Sequence, residues 1–270
     1  MSVNKEPSGR RSVRVEAEVP GTPEEVWRAI ATGPGISSWF VPTRSDERAG
    51  GQVVCTFGPG MDAAATITQW EALKRFVTEG DMGMPGSPRV ATEWTIEARA
   101  GGTCLVRVVH SLFASTDDWD NQLEGLEQGW PTYFRILRMY LSHFKGMACC
   151  AMQFVGASTE SEPRAWEIAG GELGLLGVAR GQKWRAPDGF PAMGGVVDSL
   201  GQGMHSNTVL LRLDEPAPGT AYVGAFSCAG MVMVCMSVYL YGDGARAAVD
   251  RDEPAWNAWM GARFPMPQMG

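Results

Sequence analysis

Apolar and polar residues alternate along most of the first half of the chain. Between Ser12 and Val19, Val13, Val15, Ala17 and Val19 fall on one side and Arg14, Glu16 and Glu18 on the other, the period-two pattern of a half-buried strand. Pro20-Gly21 ends it. Thr22 then stands as an N-cap, with Pro23 at the first helical position and Glu24-Glu25 in the first turn. That predicts a helix over Pro23–Ala31 with Val26, Trp27 and Ile30 on its apolar face. Gly33-Pro34 breaks it, and a second short helix over Ile36–Phe40 ends in the aromatic pair Trp39-Phe40. Strand patterns follow at Gln52–Phe57, Ala63–Glu71, Arg75–Glu79, Ala91–Arg99 and Thr103–Phe113, the last two joined by the hairpin signal Gly101-Gly102. Asp81–Arg89, rich in Gly, Pro and Met, reads as a loop. A helical region opens at Asp117 and carries Leu126, Trp130, Tyr133, Leu137, Tyr140, Leu141 and Phe144 at helical spacing.

The second half repeats that order of elements with little residue identity. A strand over Cys149–Val155 precedes a helix from Glu162-Pro163 with Trp166, Ile168 and Leu173 to Leu176. Strand patterns recur at Gln182–Ala186, Gly194–Leu200, Asn207–Leu213, Ala221–Ser227 and Val232–Tyr241, and Ala245–Phe264 reads as a closing helix with Trp256 and Trp259. Pro216 to Gly242 is almost uncharged and long enough to span a bilayer, but its glycines and serines split it into two strands around a tight turn. The pattern divides the chain near Gly146 into a polar, mobile tail over residues 1–11 and domains over residues 12–147 and 148–270.

Composition narrows the partners. The chain has 270 residues, 44% of them hydrophobic, and a net charge of −7. This length buries a substantial core without staples, and the acidic balance removes nucleic acid and anionic membrane as expected partners. The tail carries Lys5, Arg10 and Arg11 with no apolar run behind them, so no secretory leader is expected. Cys55, Cys104, Cys149, Cys150, Cys228 and Cys235 have no CxxC spacing and sit among small or apolar residues. They read as buried hydrophobes in a reduced, cytoplasmic protein rather than as metal ligands or disulfides.

Few residues suggest chemistry. His110 shares the parity of Val106, Val108 and Leu112 and so faces inward. It is either a core histidine bonded to Tyr, Thr or backbone, or a polar group that orients a ligand or acts as a general base. His143 near a helix end suits the helix dipole, and His205 lies in a Gly-rich loop as a solvated residue. Asp117, Asp118 and Asp120, followed by Glu124 and Glu127, read as capping and dipole stabilisation of the helix they precede rather than as a metal site. Gly58-Pro59-Gly60 lacks the Lys-Ser/Thr that a phosphate loop needs, and there is no GxSxG, HExxH or dinucleotide fingerprint. No cofactor and no metal are expected.

Together these residues resemble a known family. Val13–Val19, Pro20, the Thr22-Pro23-Glu24-Glu25-Val26-Trp27 run, Ser38-Trp39-Phe40, Gly50-Gly51, Ala91–Ala98, Gly101-Gly102-Thr103, Val106–Phe113 and Gln128-Gly129-Trp130 are similar in order and spacing to START-like, or SRPBCC, domains. The likeness is strongest to the branch named for the activator of Hsp90 ATPase homologue, over about Ser12 to Lys145. It implies an α+β helix-grip fold, an antiparallel curved sheet around a long C-terminal helix with an apolar cavity between them. The second half resembles the family in element order alone, as a divergent tandem copy.

On that fold, strand parity places Val53, Cys55, Phe57, Trp94, Ile96, Val108 and His110 inward, and Trp130, Tyr133, Phe134 and Leu137 approach from the helix. As a set they form a ligand-binding list. The expected function is the noncatalytic binding of a small hydrophobic molecule, oriented by His110 or Tyr133. Two alternatives stand beside it: a cyclase- or aromatase-like enzyme acting on a polyketide-type substrate, and a chaperone-associated module. The second is discounted by the short stretch before the first strand, where full co-chaperones carry a separate domain.

Overall fold

The computed structural model describes residues 3–58, 61–81, 88–114, 116–202, 206–228 and 230–267. They form two compact units that meet in sequence between Lys145 and Gly146. His205 and the side chain of Cys228 lie outside the described residues.

The first unit opens with β1 (Asn4–Lys5) and β2 (Arg10–Pro20), followed by α1 (Pro23–Ala31) and α2 (Gly33–Ser37). Thr22 caps α1 as its sequence predicts: its side chain accepts from the Glu25 amide while the Glu25 carboxylate accepts from the Thr22 amide. Pro34 does not break the chain into coil. It sits in the first turn of α2, where a missing N–H costs nothing, and Thr32 caps that helix. The second helix therefore starts three residues earlier than its apolar residues suggest.

Strands β3 (Thr43–Ser45), β4 (Gln52–Thr56), β5 (Asp62–Glu71), β6 (Arg75–Gly80), β7 (Val90–Arg99) and β8 (Thr103–Phe113) follow, then α3 (Asp120–His143). The sheet has the order β1-β2-β8-β7-β6-β5-β4-β3, with antiparallel pairing throughout. Gly101 and Gly102 take φ of +84° and +75° in the β7–β8 turn, a conformation that side chains with a Cβ rarely adopt. Helix α3 packs chiefly on β2 and presents Leu123, Trp130, Phe134, Leu137 and Leu141 as one buried stripe.

Residues 3–11 are not a mobile tail. Asn4 and Lys5 pair with Ser12 and Arg11, and Val3 is buried. The acids before α3 supply the reason. Helix α3 has no side-chain N-cap; instead Asp117 and Asp120 each bind both Lys5 and Arg11, at 2.6–3.0 Å. The capping role expected of these acids is replaced by ion pairing, which the linear pattern hides because the partners lie over a hundred residues away.

The second unit runs β9 (Cys149–Ser158), α4 (Glu162–Glu172), β10 (Lys183–Arg185), β11 (Gly194–Leu200), β12 (Thr208–Glu215), β13 (Gly219–Cys228), β14 (Met231–Tyr241) and α5 (Ala245–Arg263). Its sheet order, β10-β11-β12-β13-β14-β9, repeats a feature of the first unit: the opening long strand pairs with the last strand of a meander. Both units then close with a helix that carries an interior proline, Pro131 and Pro254. The nearly uncharged segment is the β13–β14 hairpin, and among the described residues no helix is long and apolar enough to cross a membrane. Its core gathers Phe154, Trp184, Val197, Leu211, Val238, Trp256 and Phe264 with many smaller side chains.

Candidate functional site

The inner face of the first sheet meets α3 through aromatic rings. Trp94 of β7 and Trp130 of α3 lie 4.9 Å apart at 90°, so sheet and helix touch edge to face at the centre of the grip. Phe134 joins both, at 6.3 and 5.6 Å. Inward from Trp94 the run continues to Phe76 at 6.2 Å and then to Trp27 of α1 and Trp70. Outward it passes from Trp130 to Phe40, 5.5 Å away and stacked, and from Phe40 to Tyr133 at 4.5 Å and Phe57 at 5.8 Å.

Burial grades along this run. Trp94, Ile96, Val108, Phe134 and Leu137 are buried, as is Val53. Cys55, Phe40 and Tyr133 are half-buried, and Phe57 is 41% exposed. Parity alone places Phe57 inside. It stands one residue past the end of β4, where the sheet no longer covers it, and so belongs to the rim. The Cys55 thiol lies 3.5 Å from the Thr43 hydroxyl, and burial pushes its pKa up, which keeps it protonated and unreactive.

His110 sits at the polar centre of this apolar interior. Register aligns Thr78, Thr92, His110 and Val13 across β6, β7, β8 and β2, so three polar groups form a short row on the inner face. The Trp130 indole Nε1–H donates to His110 Nε2 at 2.6 Å, and His110 Nδ1 lies 2.9 Å from Thr92 Oγ1. An indole nitrogen only donates, so Nε2 must be the lone-pair nitrogen and the ring proton sits on Nδ1, directed at Thr92. The tautomer is thereby assigned from the bonding pattern. Burial pushes the imidazole down to about 4, because charging it would cost solvation and turn Nε2–H against the indole N–H.

A general base needs a lone pair within reach of a substrate proton. In this arrangement both ring nitrogens of His110 are engaged, one on each side. Its chemistry is to fix the orientation of Trp130 and, through it, the rings that Trp130 touches. Among the described residues no group of three or more His, Cys, Asp or Glu side chains could hold a metal ion.

Two residues of this site, Phe40 and Thr92, are not among the ligand residues expected from strand parity and the helix face. Phe40 links the rim to the centre; its signal was the adjacent Trp39-Phe40 pair, of which Trp39 turns inward and donates its indole N–H to the Ala29 carbonyl at 2.9 Å. Thr92 shares the parity of Trp94 and Ile96, which marks it as inward, but a threonine in a strand carries no signal of its partner. A separate groove of about 530 Å³ lies where Leu73 and Lys74 of the β5–β6 turn face β7, lined also by Arg75 and Arg107. Of the expected ligand residues, Ile96 alone borders it.

Residues 20–142 match the family model described as Activator of Hsp90 ATPase homolog 1-like protein. No curated protein matches the chain. Among solved structures, CalU16 from Micromonospora echinospora is 22% identical over 53% of this chain and 83% of its own, with a TM-score of 0.42. Protein MLL2253 from Mesorhizobium loti is also 22% identical, over 50% of this chain and 99% of its own, with a TM-score of 0.46. DynU16, from the dynemicin biosynthetic locus, is 17% identical over 93% of this chain and 96% of its own, with a TM-score of 0.42. The matched stretch runs from the end of β2 to the last turn of α3 and lies wholly within the first unit, which has the α+β helix-grip fold of START-like (SRPBCC) proteins and is similar to the activator of Hsp90 ATPase homologue branch.

Proposed function

We propose that the first unit binds a small hydrophobic molecule bearing a planar ring, and does so without catalysing its conversion. The observation that carries this reading is the graded run of rings from the exposed Phe57 through Phe40 and Tyr133 to the fixed Trp130. A planar ligand entering beside Phe57 meets aromatic faces and edges on two sides, which supplies apolar burial and ring-on-ring contact. The sealed His110 supports the noncatalytic half of the proposal, since it holds the wall rather than offering a base. Nothing in the site favours the cyclase-like or chaperone-associated alternative. We also propose that the second unit is a divergent copy of the first, on the strength of the shared strand pairing and closing helix.

A screen of ring-bearing lipophiles by thermal shift, with native mass spectrometry of protein purified from its source, tests the reading. Stabilisation by at least one bicyclic or tricyclic aromatic compound is expected. Phe57→Ala should weaken that ligand by about tenfold while leaving the unliganded melting temperature nearly unchanged, because an exposed rim ring contributes little to the folded core. Absence of any bound molecule or stabilisation across the screen would remove the proposal.

A further inference from the structure

The charged groups at the amino terminus do more than pair with α3. Lys5 Nζ lies 3.0 Å from Asp117 and 2.8 Å from Asp120, and the Arg11 guanidinium reaches the same two carboxylates at 2.6 Å each. Arg11 Nε also donates to the Ala114 carbonyl at 3.3 Å. The closed ring of two cations and two carboxylates therefore ties β1 and the start of β2 to the connection that leads from β8 into α3. Its inner members are shielded, with side-chain exposures of 9% for Arg11 and 15% for Asp120; its outer members, Lys5 and Asp117, are 47% and 72% exposed.

Beneath this ring lies a small apolar cluster separate from the aromatic run. Val3, Val13, Val90, Leu112 and Leu123 are its buried members, with Ala114, Trp119 and Leu126 against them. The first turn of α3 has no side-chain cap, so its contacts with this cluster and with the ion-pair ring bear directly on how firmly it is held. Leu123 lies two turns ahead of Trp130 on the same buried stripe of α3.

We propose that residues 3–5 act as a strap, and that the Lys5–Arg11–Asp117–Asp120 ring is an ionic latch that keeps the first turns of α3 closed over the end of the grip. Any role in ligand access rests on the binding function proposed above, but the latch itself is defined by backbone opening and needs no ligand to be observed. Its exposed half makes it responsive to ionic strength, since salt screens exposed charges and reaches shielded ones less. Release exposes only a small cluster, so opening is a local event rather than unfolding of the unit.

Amide hydrogen exchange of the full chain tests this. The variant Lys5→Ala/Asp117→Asn removes the two exposed members and keeps the shielded Arg11–Asp120 pair, so the unit is expected to stay folded. Amides of residues 120–127 should exchange at least about tenfold faster in the variant, while those of β6 and β7 keep wild-type rates. Raising salt from about 0.05 M to about 0.5 M should speed the same amides in the wild type and change little in the variant. Unchanged exchange over residues 120–127 would overturn the latch, and so would an equal loss of protection in the core strands. Either result would leave the ligand-binding proposal untouched, because it is read from ligand stabilisation and not from exchange.

Discussion

Replacing Trp130 by alanine should destabilise the first unit by about 4 kcal/mol, within the range for deleting a large buried aromatic side chain. The indole is 8% exposed and contacts His110, Trp94, Phe40, Tyr133 and Phe134. Truncation removes these contacts, opens a cavity, and leaves His110 Nε2 buried without a donor. A loss of this size approaches the whole stability of an ordinary domain. Trp130→Phe separates the causes: it keeps most of the apolar volume and removes the hydrogen bond, so its cost should be about half as large. Urea denaturation followed by far-ultraviolet circular dichroism reads both. If Trp130→Ala costs less than about 1 kcal/mol, the ring run is not the keystone of this unit.

The second large effect is a dependence of stability on pH that belongs to one histidine. The folded pKa of His110 is depressed to about 4, below the ordinary value of 6.5, so the unfolded chain takes up a proton at a pH where the folded chain does not. Stability is therefore fully present above pH ~6.5 and lost as the pH falls towards the folded value, by about 3 kcal/mol at pH ~4. Glu16, Glu25, Asp117 and Asp120 are each held below their usual range, Glu16 chiefly by Arg107, Glu25 by Lys145 and both aspartates by Lys5. Their contributions are present above the ordinary carboxylate values and fade only below them, so the histidine window comes first on acidification. His110→Gln is the informative variant: a glutamine carbonyl accepts from Trp130 while its amide donates towards Thr92. Its stability should be flat between pH ~6.5 and ~4.5, where the wild type declines. A wild-type curve equally flat over that window would show that His110 is charged or solvated in the folded protein.

How much of this was legible in the sequence follows from what each residue's neighbours are. Thr103–Phe113 and Pro23–Ala31 coincide with their predicted bounds because period, cap and turn residues all lie within the element. Thr43–Ser45 escaped notice: three residues show no period, and this edge strand exists because β4 is there to pair with it. The inward position of His110 came from parity alone. Its two partners could not, since Trp130 lies on a helix 20 residues away and Thr92 on the neighbouring strand 18 residues away. The tail and the aspartates failed for one shared reason. Lys5 and Arg11 resemble solvated charge, and Asp117 and Asp120 resemble helix caps, until the fold brings them together. Phe57 failed by a single residue, because alternation continues past the end of β4 but the covering sheet does not.

The most direct test of the ligand-binding reading is a nuclear magnetic resonance titration of the full chain with 2-naphthol, an uncharged two-ring probe. Binding in the grip should shift the Trp130 indole N–H and the side-chain resonances of Phe40, Phe57 and Tyr133 together, along one saturating curve, with His110 remaining the neutral Nδ1–H tautomer throughout. Saturable shifts that leave these residues unmoved, or no saturation up to the solubility limit of the probe, would contradict the account.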